Sequence, residues 1–424
     1  MSDTLNPGQA TALAEILAWL NPANPLDFQP FHVLSGSAGT GKTFLVKKLV
    51  EDFKGRIIYT APTNKATKVL RESVTSETYK PECRTIYSLL GLRMEANGEL
   101  KELKAPEDPI DLSQYRLVIL DEGSMVNQML FTHVEDTANE FRIKFLILGD
   151  PAQLPPVGEQ TSPVWNLESC SHLTQVMRHD NAILELATRI RDQVNRFSPT
   201  IKLSNNNDGQ EGVWKEGVQS FNARIYKHAT MGYFTKPNGS KIISWRNVEV
   251  DRFNKMVRSI IFPEVTEPWV VGDRVLFTGP ARDLDDEPMA STDDEGEVMS
   301  IDTEYSALYP EFKIWRISIT LDDNKAVVAR VLHKDSQTDY ARRLDELSME
   351  ARANSRKWKN FWEFKDAFHQ LRHAYAITAH RSQGSTYDTA FVNWQDILLN
   401  RNRQEAYRCL YVACTRPSRM LVLV

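Results

Sequence analysis

The chain has 424 residues, of which 42% are hydrophobic and 25% are charged, and its formal net charge is −5. This balance excludes a mostly disordered chain, and the length predicts about two to four domains. The charge excludes a uniformly basic surface but is compatible with a local basic groove. There is no secretion-type N-terminus, no apolar run near the roughly 20 residues that span a bilayer, and no CxxC pair among the four cysteines. We therefore expect a cytoplasmic protein with no membrane partner, disulfide framework or zinc site.

The first predicted strand, residues 31–35, leads into the sequence GSAGTGKT at residues 36–43, and a helix is predicted over residues 44–53. Glycines let backbone N–H groups close around phosphate oxygens, and the helix N-terminus adds partial positive charge. The motif predicts that Lys42 binds the β- and γ-phosphates of ATP and that the Thr43 hydroxyl holds Mg²⁺. The remaining residues of this predicted phosphate-binding loop are Gly36, Ser37, Ala38, Gly39, Thr40 and Gly41.

A strand is predicted at residues 56–60, and a short alternating pattern follows at residues 92–103 around Asn97-Gly98. Asn-Gly between short strands is a strong signal for a β-hairpin with a type I′ turn. Two interpretations stay open, a plain surface hairpin and a hairpin that touches DNA.

Apolar runs at residues 117–121 and 144–149 predict strands buried on both faces of a parallel sheet. Polar groups follow each run, at the carboxyl edge where α/β folds bind ligands. Asp121 is the expected Mg²⁺ partner, and Glu122 is the candidate base that polarises the attacking water. Gln153, just after the second run, is placed to contact both the γ-phosphate and that water.

A second α/β unit without its own P-loop is predicted after residue 181. Its predicted elements are a helix at 183–194, a strand at 241–245, a helix at 248–261, a strand at 389–394, a helix around 407–416 and a strand at 420–424. Such a unit can supply cations to a nucleotide bound elsewhere, and Arg178 and Arg416 are the candidates. An arginine that stabilises the transition state of phosphoryl transfer raises the rate by ~10³–10⁵. For either arginine alone, a surface ion pair is the simpler interpretation.

The segment between these elements, roughly residues 262–375, predicts a small β-barrel. Its predicted strands are residues 269–277, 296–300, 313–321 and 326–332. Residues 283–297 hold eight Asp or Glu and no basic residue, so we expect this segment to avoid DNA.

Residues 352–373 combine six Lys or Arg with five aromatic residues, a composition that suits binding of single-stranded nucleic acid. However, Phe361, Phe364, Phe368 and Leu371 recur at helical spacing, which favours a core stripe. We expect the two tryptophans, Trp358 and Trp362, and the cations, rather than that stripe, to face DNA.

With these motifs in order, the chain resembles superfamily 1 helicases, most closely the 5′→3′ (1B) branch of phage Dda-like and RecD-like enzymes. The segments that carry the resemblance are residues 6–9 (NPGQ), 36–43, 60–64 (TAPTN), 85–89 (TIYSL), 120–125 (LDEGSM), 149–158 (GDPAQLPPVG), 173–178 (LTQVMR), 379–386 (AHRSQGST) and 411–416 (YVACTR). Gly123 and Pro417 depart from the family pattern, but neither departure removes a catalytic group.

The resemblance implies an α/β fold with two RecA-like P-loop NTPase domains, parallel sheets flanked by helices, a pin hairpin inserted in the first and a small SH3-like β-barrel in the second. The implied segments are 1–84 and 111–178 for the first domain, 85–110 for its hairpin, 179–261 and 376–424 for the second domain, and 262–375 for its barrel.

The resemblance also implies the site residues. Gln9 would read the adenine edge, Gly384 would lie near the nucleotide, and Lys42, Thr43, Asp121, Glu122, Gln153, Arg178 and Arg416 would serve ATP hydrolysis as described above. The residues implied or expected along the DNA path are Thr60, Pro62, Thr63, Asn64, Thr85, Asn97, Thr378, His380, Ser382 and Trp358.

The leading hypothesis is therefore an ATP- and Mg²⁺-dependent DNA helicase that moves 5′→3′ on single-stranded DNA and opens forked or tailed duplex DNA. Implied with it are a monomeric state, a single-strand-binding protein as partner and, for a phage-encoded chain, the host cytoplasm. Two alternatives stay open at this point. One is an RNA helicase or a translocase that strips proteins without unwinding; the other is a nucleic-acid-binding protein whose P-loop only regulates its grip.

Overall fold

The computed structural model describes residues 4–24, 26–76, 79–94, 100–102, 111–175, 182–194, 196 and 203–424. The chain divides into two compact units, the first made of Met1–Lys215, Ser382–Thr386 and Val392–Val424 and the second of Glu216–Arg381 and Tyr387–Phe391. Within the described ranges, the helices are all too short or too polar to cross a bilayer.

Up to residue 215, helices and strands alternate as expected for an α/β fold. The elements are α1 (Pro7–Leu20), β1 (Phe31–Gly36), α2 (Lys42–Asp52), β2 (Arg56–Ala61), α3 (Asn64–Val74), β3 (Glu82–Thr85), α4 (Ile86–Leu89), β4 (Leu92–Met94), β5 (Leu100–Glu102), β6 (Tyr115–Leu120), α5 (Gln128–Glu140), β7 (Lys144–Gly149), β8 (Cys170–Leu173), α6 (Ala182–Gln193), β9 (Asn206–Asn207) and β10 (Gly212–Lys215).

The centre of the first unit is a six-stranded sheet with the order β3-β2-β6-β7-β1-β8. All of its neighbouring strands are parallel. Side chains alternate between the two faces, so Val118 and Leu120 pack in one core with α5, while Leu117 and Ile119 pack in another with α1, α2 and α3. Both faces are therefore covered, which explains the continuous apolar runs in the sequence.

Two smaller pairings complete the description of the first unit. Strand β4 pairs antiparallel with β5, from Leu92 opposite Glu102 to Met94 opposite Leu100, so the two strands of the predicted hairpin are present. The Asn97-Gly98 turn itself lies outside the described residues. Strand β10 runs antiparallel to β9 and parallel to the last strand of the chain, residues 417–423.

From residue 216 to the end, a β-rich segment is flanked by further α/β elements. The elements are α7 (Val218–Thr230), β11 (Ser240–Ser244), α8 (Asn247–Ile261), β12 (Arg274–Phe277), β13 (Ala281–Arg282), β14 (Pro288–Ala290), β15 (Glu295–Tyr305), β16 (Lys313–Leu321), β17 (Ala326–Leu332), α9 (Gln337–Ala353), α10 (Trp358–Asp366), β18 (Leu371–His373), β19 (Ala376–Thr378), α11 (Ala379–Ser382), β20 (Tyr387–Val392), α12 (Trp394–Ile397), α13 (Arg403–Cys414) and β21 (Pro417–Leu423).

Within its described residues, the second unit contains three sheet regions, the smallest of which pairs β13 antiparallel with β14. Strand β11 lies between β19, with which it is parallel, and β20. The segment between α8 and β19 forms a five-stranded antiparallel sheet with the order β17-β16-β15-β12-β18. Its core includes Val275, Trp315 and Ile317. The predicted β-rich insertion is therefore present, and its SH3-like character remains a prediction.

Two predicted elements in this segment were too long. The strand predicted from residue 269 begins only at Arg274, because Gly272 (φ 87°) and the Asp273 carboxylate, which accepts from the Val270 N–H, form a turn before it. The helix with the aromatic stripe ends at Asp366, so Leu371 belongs to β18 instead. The core assignment is nevertheless confirmed for Phe364 and Phe368, which pack with Phe312.

Candidate functional site: the phosphate loop and its neighbours

The phosphate loop connects β1 to α2 in a turn that only glycine accommodates at several positions. Gly39 and Gly41 have φ values of 79° and 83°, in the left-handed region. A Cβ atom at Gly36 would lie 2.6 Å from the Thr40 hydroxyl oxygen and 3.0 Å from the Leu173 Cβ. The local sequence thus closes the backbone into a compact loop at the N-terminus of α2.

Lys42 and Gln9 hold this loop from two sides. Lys42 Nζ donates to the carbonyl oxygens of Gly36 (2.6 Å) and Ser37 (3.2 Å). Gln9 Nε2 donates to the Thr40 carbonyl oxygen at 3.2 Å. The same Gln9 side chain accepts from the Asn6 N–H in the capping box that starts α1. Here Gln9 therefore connects the first helix to the phosphate loop.

Asp121 and Glu122 follow β6 at the carboxyl edge of the sheet, as predicted. The Asp121 carboxylate accepts from the Glu122 N–H at 2.8 Å. Glu122 has φ 54°, an uncommon value for a residue with a side chain, and such strain is concentrated at functional sites. The glycine at position 123, where the sequence departs from the family pattern, has a steric explanation. A Cβ atom there would lie 2.7 Å from Ile147 Cγ2.

The electrostatic environment opposes ionisation of both carboxyl groups. Removal from solvent raises the pKa of Asp121, and the Glu122 N–H and the charge of Lys42 offset part of that rise. The pKa of Glu122 is raised from 4.5 to about 7, first by desolvation and then by the neighbouring Asp121. The charges of Arg416 and Lys42 and a hydrogen bond from Gln383 lower it in part.

Gln153 is brought to the same site by the turn after β7. It is buried, and its Oε1 accepts from Gln383 Nε2 at 3.1 Å. Gln383 Nε2 also donates to the Ser124 hydroxyl at 3.2 Å. The sequence interpretation did not assign a role to Gln383, although it stands between the assigned residues Ser382 and Gly384.

Asp150 and Tyr411 form a second connection that the sequence interpretation missed. The buried Asp150 carboxylate accepts from the Tyr411 hydroxyl at 2.5 Å and from the Ala152 N–H at 3.0 Å. The Tyr411 hydroxyl in turn accepts from the Ala38 N–H of the phosphate loop at 3.2 Å. Burial and hydrogen-bond partners are not encoded by spacing, and the only available signal was that Tyr411 opens the YVACTR segment.

Arg416 lies in the first unit with a buried guanidinium group that influences Glu122 electrostatically. Its Nε donates to the Val412 carbonyl (2.9 Å) and its Nη1 to the Ser385 carbonyl (3.1 Å). Gly384 has φ 72°, and a Cβ there would lie 3.3 Å from the Ala66 Cβ. Arg178 lies outside the described residues.

The residues predicted to line a DNA path differ in exposure. Asn64, His380 and Trp358 are exposed, whereas Pro62 and Ser382 are buried, and Asn97 lies outside the described residues. Three of the threonines already serve the fold through their side chains. The Thr60 hydroxyl donates to the Ile119 carbonyl, and the hydroxyls of Thr63 and Thr85 cap α3 and α4. The Thr378 hydroxyl accepts from the Arg381 N–H in the second unit.

Both ends of the chain match known families. Residues 4–208 match a family model described as an AAA domain, and residues 373–424 match one described as a UvrD-like helicase C-terminal domain. The ATP-dependent DNA helicase dda of Enterobacteria phage T4 is 25% identical over 456 aligned residues, which cover 98% of each chain. These matches support the resemblance to superfamily 1B DNA helicases that the motifs indicate.

Solved Pif1 structures share the fold of this chain. A structure of Pif1 helicases on forked double-stranded DNA has a TM-score of 0.54 and 17% identity, and the match covers 99% of this chain and 92% of that chain. A Bacteroides Pif1 in complex with ADP-AlF3 and single-stranded DNA has a TM-score of 0.51 and 16% identity, and covers 97% of this chain and 91% of that chain.

Proposed function

We propose that the chain hydrolyses ATP at the phosphate loop to move 5′→3′ along single-stranded DNA and to unwind duplex DNA. The observation that carries this proposal is the glycine-closed phosphate loop held by Lys42, with the Asp121–Glu122 pair at the carboxyl edge of the same sheet. The charges of Lys42 and Arg416 both lower the pKa of Glu122, which agrees with this arrangement. The match to an ATP-dependent DNA helicase along the whole chain supports the substrate class.

Each group at the site has a chemical task in this proposal. The loop amides and Lys42 bind the phosphates of ATP, and Arg416 stabilises the charge that develops on the γ-phosphate. Glu122, once ionised, accepts a proton from the attacking water, and Gln153 orients that water. Arg178 is proposed as a second cation and Gln9 as the adenine contact.

The donor set fits a magnesium ion. Mg²⁺ prefers oxygen ligands and is bound through one or two carboxylates together with phosphates. Thr43 offers a hydroxyl, and Asp121 offers a desolvated carboxylate whose ionised form a cation would favour. When bound, the ion would neutralise charge on the phosphate oxygens.

For the nucleic acid, we propose that Thr60, Pro62, Thr63, Asn64 and Thr85 with Asn97, Thr378, His380, Ser382 and Trp358 border the strand. The six segments predicted from the sequence would then form two RecA-like domains with a pin and a barrel, and ATP would drive closure of the two domains. We further propose that the protein works as a monomer in the cytoplasm on single-stranded and tailed DNA, with a single-strand-binding protein as partner.

The catalytic assignment is tested by ATP turnover with and without a DNA oligomer. Lys42→Ala and Glu122→Gln are expected to lower DNA-stimulated turnover by at least ~10², because each removes a group needed for phosphoryl transfer. An RNA oligomer in place of DNA separates a DNA from an RNA motor. Full turnover in Lys42→Ala would contradict the assignment.

A further inference from the structure

Tyr411 lies on the buried helix α13, five residues before Arg416, and only 1% of its surface is exposed. It is not among the residues proposed to bind ATP, to catalyse its hydrolysis or to bind DNA. Its hydroxyl nevertheless has two partners in the part of the chain that the proposed chemistry uses.

The first partner is the phosphate loop itself. The N–H of Ala38 donates to the Tyr411 hydroxyl oxygen at 3.2 Å. Backbone N–H groups of this loop are the ligands of nucleotide phosphates. Their orientation therefore determines where the phosphates are held.

The second partner is Asp150, at the end of β7. The hydroxyl donates to Asp150 Oδ2 at 2.5 Å. Burial and the neighbouring carboxylate raise the pKa of Tyr411 above its usual range, so the phenol stays protonated and remains a donor. Hydrogen bonds to a buried carboxylate are among the strong ones in proteins.

Asp150 connects Tyr411 to the turn after β7 that carries Gln153. Its other carboxylate oxygen accepts from the Ala152 N–H at 3.0 Å and lies 3.4 Å from Arg191 Nε. Its carbonyl oxygen accepts from the N–H of Gln153 at 3.0 Å. Asp150 thus fixes the turn from which the Gln153 side chain extends.

We propose that Tyr411 is a positioning residue for ATP hydrolysis. Its hydroxyl keeps three segments in fixed relative positions: the phosphate loop, the turn that carries Gln153, and the helix that leads to Arg416. The inference rests on the proposed function. Misplacement of catalytic groups by a fraction of an ångström lowers the turnover rate more than it weakens substrate binding, because the geometry matters most in the transition state.

The test compares two Tyr→Phe substitutions in the full chain. Tyr411→Phe removes the hydroxyl and leaves the buried ring. Tyr115→Phe is the matched control, because the Tyr115 hydroxyl also donates to a carboxylate, that of Glu82, at 2.5 Å, and it lies in the same unit outside the ATP site. The readouts are kcat and KM for ATP at saturating single-stranded DNA, together with Tm.

We expect Tyr411→Phe to lower kcat about tenfold while KM changes less than about threefold, the pattern of a lost transition-state contribution. Tyr115→Phe should keep kcat within about twofold of the wild type even where it lowers Tm. The proposal is overturned if Tyr411→Phe keeps a normal kcat. It is also overturned if both variants lose kcat equally, since the loss would then reflect stability alone.

Asp150→Asn keeps the size of the side chain and provides a second measurement if Tyr411→Phe does not fold. It should lower kcat in the same way, and a normal kcat in Asp150→Asn overturns the proposal. In a variant with both substitutions, the losses should not multiply, because both act on one contact. Lys42→Ala distinguishes a failure of the proposed function from a failure of the role of Tyr411. ATP turnover in Lys42→Ala contradicts the proposed function. An inactive Lys42→Ala together with a normal kcat in Tyr411→Phe contradicts the role of Tyr411 alone.

Discussion

At Glu122 a left-handed backbone, with φ 54°, coincides with a pKa raised to about 7. Both features cost folding free energy. The backbone angle sets the direction of the carboxyl group, and the raised pKa lets that group change its protonation state close to neutral pH. A base with a pKa near the working pH combines a useful fraction of the ionised form with proton affinity.

This environment predicts the pH dependence of turnover. Glu122 must be ionised to accept a proton, so kcat should fall about tenfold per pH unit below pH ~7 and level off above it. The measurement is kcat at saturating ATP and DNA from pH 5 to 9. An acid limb near the ordinary pKa of 4.5 would contradict the role or the environment of Glu122.

Gln383 contacts the residues that surround the expected water. Replacing it with Met keeps the length of the side chain but removes the amide that donates to Gln153 and Ser124. We expect kcat to fall by about tenfold, since the loss of one hydrogen-bond donor from an active site lowers kcat by up to ~10²–10³. Gln219→Met, at an exposed position on α7, is the control. Equal activity of the two variants would show that Gln383 only packs.

The hairpin of β4 and β5 is a short antiparallel element outside the six-stranded sheet. We expect it to separate the duplex strands. Shortening the segment between β4 and β5 to a two-residue turn should therefore leave DNA-stimulated ATP hydrolysis intact and abolish unwinding of a tailed duplex. Equal loss of both activities would instead indicate a role in folding or in DNA binding.

Helix α10 presents two aromatic faces with different tasks. Phe364 is 2% exposed in a core with Phe312 and Phe368, whereas Trp358 is 36% exposed and stacks on Trp362, with ring centroids 6.3 Å apart. The stripe therefore belongs to the fold, and Trp358 remains available for stacking with a base.

Substitutions on the two faces should accordingly affect different properties, stability on one face and DNA binding on the other. Phe364→Ala is expected to lower the free energy of unfolding by ~3–5 kcal/mol. Trp358→Ala should leave stability nearly unchanged and weaken binding of single-stranded DNA by ~1–3 kcal/mol. Denaturant unfolding and a fluorescence anisotropy titration measure the two quantities. Unchanged DNA affinity in Trp358→Ala would remove this residue from the proposed DNA path.

Across the whole molecule, the sequence predicted those features that depend on a local pattern of residues. The apolar runs located the central strands, and the polar residues after them located Asp121, Glu122 and Gln153. The β-rich insertion was also visible in the sequence. What local pattern did not determine was the bonding of residues far apart in the chain. Tyr411 meets Ala38, and Gln383 meets Ser124, through contacts that depend on the packing of the complete unit.

The acidic segment at residues 283–297 shows the same limit. Composition predicted only that it would avoid DNA. In the structure, Asp293 forms an ion pair of 2.6 Å with Arg381, and Glu295 forms one of 2.7 Å with Lys241. Part of the acidic charge therefore neutralises cations of the second unit.

We propose that ATP hydrolysis at the phosphate loop drives movement of the whole molecule in the 5′→3′ direction and opens duplex DNA. The most direct measurement compares two duplexes of identical sequence, one with only a 5′ single-stranded tail and one with only a 3′ tail, with ATP and Mg²⁺. We expect the wild type to unwind the 5′-tailed duplex alone and Lys42→Ala to unwind neither duplex. Preferential unwinding of the 3′-tailed duplex, or unwinding by Lys42→Ala, would contradict it.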